Sequence, residues 1–398
     1  MKTILKNIEG DKAIWAVIAF LAIFSFLPMY SASSNLVYVV DKGTTSGYFF
    51  KHAMLLFIGF IIIYAVHKIP YKYFSATSVL LFPVIIILLI FTFMQGTNIG
   101  GSSASRWIRI PFIGIGFQTS TLAGVILMMY VSRYLAKNKE NVIIFKESFI
   151  QLWIPVAFII LLILPANLST ALMLFTMVLV LVFLGGYPLR YLAAIIGAGI
   201  IFLALFITTA KAFPSAMPNR VDTWMSRIEN FSNKTDKQAN YQAEKAKIAI
   251  ASGKIYGKGP GKSVQKNFLP QSSSDFIYAI IVEEFGLIGA LVVVILYLAL
   301  LFRIVIVANK SESIFGSLLA IGVGFPIVFQ AFTNMAVAVG LFPVTGQPLP
   351  LLSTGGTSIW MTCISIGIIL SVSSQKEMKQ IDEDQNDNPL DILHEAIG

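Results

Sequence analysis

Three carboxylates stand where a membrane chain rarely keeps them. Asp275 lies at the junction of a basic, glycine-rich segment and a long apolar run, and Glu283 and Glu284 follow inside that run, all within the stretch Ala251 to Gly289. An acid at membrane depth is costly, which makes it a functional hypothesis from the outset. Read alone, Asp275 admits three roles. It could cap the helix that starts at Phe276, serve in catalysis, or belong to an ion pair. On a helix, eight residues advance about 12 Å. Glu283 and Glu284 are therefore expected to pair with buried donors and hold their helix, not to share a substrate atom with Asp275.

The glycine segment Gly257-Lys258-Gly259-Pro260-Gly261-Lys262-Ser263 has the look of a nucleotide loop. Tyr256 occupies the position of the required first glycine, and no strand–loop–helix setting surrounds it, which excludes nucleotide binding. Glycines with Lys258, Lys262 and Lys266 can still bring backbone amides and ammonium groups to a pyrophosphate, with a flexible turn as the alternative. Gln330 and Asn334 are one helical turn apart and share a face, either as an interhelical contact or as the lining of a polar cavity. The prolines and glycines from Pro343 to Ser358, with Ser353 among them, break any helix at a membrane edge. Such irregular backbone is tolerated where it is buried in protein or lines a cavity. Arg106, beside Trp107, suits either an interfacial anchor or a phosphate contact.

The elements that must position these residues follow from composition. Of 398 residues, 56% are hydrophobic and 12% charged, about half the charge of a soluble domain. The continuous apolar runs predict an all-α polytopic membrane protein. Ten spans are expected, at 13–29, 48–66, 75–95, 117–135, 149–165, 168–185, 189–210, 276–302, 314–340 and 355–374. The first run, after Lys2, Lys6 and Lys12, is read as an anchor and not a signal peptide, because it exceeds the usual core of about 7–15 residues. Ile150 to Leu184 is too long for one span and is expected to turn at Pro165-Ala166-Asn167. The Lys/Arg bias of the short loops puts both termini in the cytoplasm, leaving Lys211 to Asp275 as one large extracytoplasmic loop. That loop carries eleven Lys/Arg against five Asp/Glu. It is either a solvated loop near anionic headgroups or a surface that attracts an anionic substrate. Residues 1–374 form the transmembrane domain, and the polar tail 375–398 is expected to be disordered. Cys363 is the only cysteine, so no internal disulfide exists, and His52, His67 and His394 form no metal set.

Several spaced motifs agree in order with one family. Gly257-x-Gly-x-Gly-x-Ser-x-Gln265-Lys266, Leu269-Pro270, Asp275-Phe276-Ile277 and Glu283-Glu284-Phe285-Gly286 form one group. Phe329-Gln330 with Asn334, Pro343, Thr345-Gly346, Leu349 to Ser353 and Gly355-Gly356 form a second. Over Gly100 to Ser371 the chain resembles the SEDS family (shape, elongation, division and sporulation), and its texture is nearer the FtsW branch than the RodA branch. The resemblance implies a ten-span fold in the bacterial cytoplasmic membrane. It implies a peptidoglycan glycosyltransferase that polymerises lipid II with inversion and releases undecaprenyl pyrophosphate, working with a class B penicillin-binding transpeptidase. It makes Asp275 the catalytic residue. Arg106, Lys258, Lys262, Gln265, Lys266, Gln330, Asn334 and Ser353 become candidate substrate contacts, and Glu283 and Glu284 supporting groups. No dedicated metal cage is visible, and a divalent cation is compatible with the chemistry.

The chain departs from the family at Gln118-Thr119-Ser120-Thr121 with Gly124, and at Ala166-Asn167-Leu168-Ser169-Thr170. The family often carries a glutamate and a lysine at the first place and an aspartate at the second. A lipid II flippase is the rival function, but it needs polar groups through the whole membrane depth, and here they gather in the outer half. A non-catalytic scaffold for the transpeptidase gives no reason for Asp275 beside the basic glycines.

Overall fold

The computed structural model describes residues 9–38, 44–95, 107–109, 116–140, 143–212, 237–269 and 272–386. The apolar runs form helices α1 (Lys12–Tyr38), α2 (Thr45–His67) and α3 (Lys72–Gln95). A short antiparallel ribbon follows, β1 (Trp107–Arg109) with β2 (Gly116–Gln118), in which Ile108 faces Phe117. Then come α4 (Thr119–Lys137), α5 (Phe145–Ile163, with a π turn at Phe149–Trp153), α6 (Leu168–Leu184) and α7 (Leu189–Ala212). The last third holds α8 (Lys237–Gly253), α9 (Ile277–Lys310), α10 (Ile314–Val339) and α11 (Thr357–Asn386).

Among the described residues, eight helices are long and apolar enough to cross a membrane. Two of the ten expected spans fall short of that measure. The helix α6 has 17 residues, about 26 Å, and α4 begins Thr-Ser-Thr and carries Arg133. Both pack on α10, which also touches α8, α9 and α11 and is the centre of the bundle. The expected turn between α5 and α6 is present, and the Asn167 side chain accepts from the Thr170 amide at 3.3 Å, capping α6. Small residues let the helices approach closely, as where Gly59 of α2 meets Cys363 of α11 and Gly324 of α10 meets Ile304 of α9. The helix α7 is the outlier, touching only α6 among the principal contacts, with 6% of its apolar window buried.

Two expectations change. The long loop is not merely solvated, because its second half contains α8, which lies against α9 and α10. Ala246 and Ala249 are buried there, and Gly253 abuts the Val282 carbonyl. The final helix does not stop at the polar boundary near Ser374 but continues to Asn386, through a run rich in Lys, Glu and Gln, which favour helix.

At the end of the bundle far from Asp275, Asp11 organises the start of the chain. It accepts from the Ala13 and Ile14 amides and from the Arg303 guanidinium, and its own amide donates to Ser373. One residue thus caps α1 and ties it to α9 and α11.

Candidate active site

The site begins with a break in α9. Gly286 has φ 66° and ψ −164°, a conformation essentially reserved for glycine. The break frees backbone groups on both sides, and the glycine segment after α8 takes them up. The Lys258 and Gly259 amides donate to the Glu283 and Glu284 carbonyls, each at 2.9 Å, and the Leu287 amide donates to the Lys254 carbonyl at 2.9 Å. Ile288 donates to Ile255 at 3.3 Å. The two backbones run so close that a Cβ on Gly257 would come within 2.2 Å of the Glu284 carbonyl oxygen, and one on Gly286 within 2.2 Å of the Ile255 oxygen. The Gly-x-Gly and Glu-Glu-Phe-Gly motifs are two halves of one splice.

The glutamate side chains complete it. Glu283 is fully buried. It accepts from the Lys258 ammonium at 2.6 Å, from the Val264 and Gln265 amides at 3.1 Å each, and from the Ser263 and Ser252 hydroxyls. Glu284 accepts from the Ser31 hydroxyl of α1 and from the Ser263 amide. Lys266 donates to Ser31 at 3.1 Å and to the Gly261 carbonyl at 2.8 Å. Lys258 and Lys266 are therefore engaged within the splice. Lys262 is exposed, and its ammonium makes no hydrogen bond or ion pair among the described residues. Gln265 sits in a short 3₁₀ turn with its side-chain oxygen buried and unpartnered.

Glu283→Gln should lower the melting temperature. It replaces a carboxylate that accepts five hydrogen bonds with an amide that cannot accept them all, and hydrogen bonds to charged groups are worth about 1.5–3 kcal/mol each. A thermal melt of the detergent-solubilised variant that matches wild type would refute this anchoring role.

A second cluster surrounds Asp275, whose side chain is half-buried. The cap position of α9 belongs to Phe276, which supplies no side-chain cap bond. The turn Ser273–Asp275 that leads into α9 is held by its carbonyls. The Thr354 amide and hydroxyl donate to Ser273 at 2.9 and 2.8 Å, Ser353 donates to Ser274 at 2.6 Å, and the Asn334 side chain donates to Asp275 at 2.8 Å. Ser353 also accepts from the Leu349 amide, and Gln330 donates to the Pro348 carbonyl at 2.8 Å. Gly346, with φ 69°, faces the carboxylate, a Cβ there lying 3.5 Å from Asp275 Oδ2. The structure thus gathers Asp275, Gln330, Asn334 and Ser353 at one place and Lys258, Lys262, Gln265, Lys266, Glu283 and Glu284 at another, joined by the first turns of α9. Arg106 lies outside the described residues. Sequence reasoning missed Ser31, Gln347 and Thr354, none of which stands in a pattern that announces a buried bond.

Beside this cluster an open cleft, with about 680 Å³ of empty space that is continuous with solvent, lies between α4, α6, α10 and α11, where Thr121, Gly124, Thr170, Gln330, Gln347 and Ser365 interrupt a largely apolar wall. The family's two charges are missing at Thr121 and Gly124, so this lining is neutral. Among the described residues no three His, Cys, Asp or Glu side chains gather to hold a metal.

Comparisons with known proteins bear on this arrangement. The sequence model of the FtsW/RodA/SpoVE family, described as cell cycle protein, matches residues 11–378. A probable peptidoglycan glycosyltransferase FtsW of Geobacter sp. (strain M18) is 32% identical over 378 residues, covering 93% of this chain and 99% of its own. The FtsW of Coxiella burnetii, named likewise, is 28% identical over 91% of this chain and 96% of its own. Two solved structures share the fold. A chain of a peptidoglycan synthase complex aligns with TM-score 0.70 at 23% identity, over 92% of this chain and 97% of that one. The Thermus thermophilus rod shape determining protein RodA aligns with TM-score 0.65 at 21% identity, over 92% and 96%. With the family model spanning both the spliced glycine segment and the Asp275 cluster, this chain belongs to the FtsW/RodA/SpoVE family of cell cycle proteins.

Proposed function

We propose that this chain is a peptidoglycan glycosyltransferase of the bacterial cytoplasmic membrane that polymerises lipid II, with Asp275 as its general base. The observation that carries the reading is the half-buried Asp275, its backbone fixed by Asn334 and its side chain faced by Gly346, in a cluster whose Gln330 and Gln347 line an uncharged cleft. Asp275 takes the proton of the acceptor sugar's 4-hydroxyl. The hydroxyl oxygen attacks the donor's anomeric carbon, the bond from that carbon to the pyrophosphate oxygen breaks, and undecaprenyl pyrophosphate leaves, with inversion. Charge on the leaving group needs cationic donors nearby, and of Lys258, Lys262 and Lys266 it is the exposed Lys262 that is not engaged within the splice. Gln330, Asn334 and Ser353 act by holding the backbone around Asp275.

The cavity argues for chemistry over transport. Its lining is uncharged and much of it is apolar, with Met128, Met173, Met177, Val323 and Ile327 among its walls, so it offers a charged headgroup no continuous polar path through the membrane. The FtsW name of the similar sequences supports a role in division, and the synthase complex supports work beside a class B penicillin-binding transpeptidase. Glycan-chain formation from purified lipid II by the purified protein tests the activity, and absence of product both alone and with the transpeptidase would refute it.

The Lys/Arg bias supports cytoplasmic termini and an extracytoplasmic Asp275. In a Cys363→Ser background, Tyr256→Cys, at a position 81% exposed, should react with an impermeant thiol reagent on intact spheroplasts, and Glu312→Cys should not. The reverse pattern would invert the topology.

A further inference from the structure

We propose that Gln347, acting through Thr170, is a positioning residue for the catalytic segment. The inference rests on the reading of Asp275 as the base. Gln347 lies between Gly346 and Pro348, in a stretch whose sequence reads as loop, yet it is 6% exposed. Its side-chain amide donates to the Thr170 hydroxyl of α6 at 2.8 Å. Its carbonyl accepts one proton of the Asn334 amide at 2.8 Å, and the other proton of that same amide goes to the Asp275 carbonyl at 2.8 Å. Thr170 is itself fixed by Asn167 at the start of α6. A chain of hydrogen bonds therefore runs from α6 through Gln347 and Asn334 to the backbone of Asp275.

This cross-tie differs from its neighbours. Gln330 and Asn334 both anchor the Gln347–Pro348 carbonyls to α10. Among the described residues, the Gln347 side chain is the bond that carries this segment across to α6. Gly346, next to it, is the residue that faces the Asp275 carboxylate. If the tie is cut, the segment can swing on its α10 anchors, which moves Gly346 against the carboxylate and strains the shared Asn334 amide. Thr170 and Gln347 are 5% and 6% exposed, so a polar group left without its partner there bears a desolvation cost. A displacement of about 1 Å at a catalytic group can cost as much as 10²-fold in rate. The tie acts on where the base stands, so its loss should appear in kcat more than in KM.

The test is a double-mutant cycle on the full-length protein with purified lipid II, each rate expressed per folded molecule. Gln347→Leu and Thr170→Val should each lower kcat roughly tenfold with little change in KM. The double variant should fall no further than the singles, because both remove one interaction. Thr170→Ser, which keeps the hydroxyl, should recover most of the rate lost in Thr170→Val. Wild-type kcat in both singles, losses that multiply in the double, or a rise in KM at unchanged kcat would each overturn the proposal. If Gln347→Leu fails to fold, the near-isosteric Thr170→Val with its serine rescue decides alone. Asp275→Asn run in parallel keeps the two readings apart. A full rate there refutes the base, whereas an inactive Asp275→Asn beside fully active Gln347→Leu and Thr170→Val refutes the positioning role only.

Discussion

Asp275→Asn should leave the protein folded and inserted while lipid II polymerisation falls by roughly 10²-fold or more, the scale of general-base catalysis. The substitution conserves size. The bond that fixes this residue to Asn334 uses the backbone carbonyl and survives. The cap position of α9 is held by Phe276, and asparagine is in any case as good a cap as aspartate. What disappears is the ionisable group facing Gly346. If Asp275 served only to shape the helix start, the variant would polymerise normally and melt at the wild-type temperature. If it were a structural ion-pair member, folded yield and activity would fall together. Loss of chain product with folded yield, melting temperature and transpeptidase binding preserved is the outcome that assigns it as the base. A well-folded Asp275→Asn protein working at the wild-type rate would sink the mechanism and leave the fold standing.

The membrane elements were legible because the bilayer imposes a simple rule: a helix crosses it where about twenty apolar residues run without interruption. Hence α1 to α7 and α9 to α11 fall where the apolar runs fall, and Pro165-Ala166-Asn167 breaks the fifth from the sixth. The helix α8 was not legible. Its Lys, Glu, Gln and Ala are good helix formers, but the surrounding polar loop masked them, and what holds α8 is contact with α9. The glycines at Gly257 and Gly286 were visible as places where the chain can bend. That the two bends are one splice depends on residues 29 apart in sequence meeting backbone to backbone, which no local pattern encodes. The same holds for Gln330 and Asn334. Their shared face was readable, whereas their partners, the Pro348, Gln347 and Asp275 carbonyls, are set by the irregular segment after α10.

The splice also yields the largest expected effect on folding. Gly286→Ala should sharply reduce folded yield, or lower the melting temperature far more than a glycine substitution elsewhere in the same loop. Two causes add. The backbone of Gly286 lies in a region that costs other residues about 1–3 kcal/mol. The new Cβ would also sit 2.2 Å from the Ile255 carbonyl oxygen and 2.4 Å from the Gly257 nitrogen, so α9 and the glycine segment must separate. Separation breaks the bonds from Lys258, Gly259, Leu287 and Ile288 and takes the Lys258, Ser263, Val264 and Gln265 donors away from the two glutamates. Gly261→Ala is the matched control. Gly261 also has a positive φ of 78°, but a Cβ there meets nothing within 4 Å, so it bears only the left-handed strain of about 1–2 kcal/mol. Thermal melts of the two detergent-solubilised variants separate close approach from backbone strain. Equal melting temperatures would mean that α9 and the glycine segment are not joined backbone to backbone. A Gly286→Ala protein that folds poorly beside a stable Gly261→Ala would establish that the basic loop is fastened to α9, the helix that begins just after Asp275.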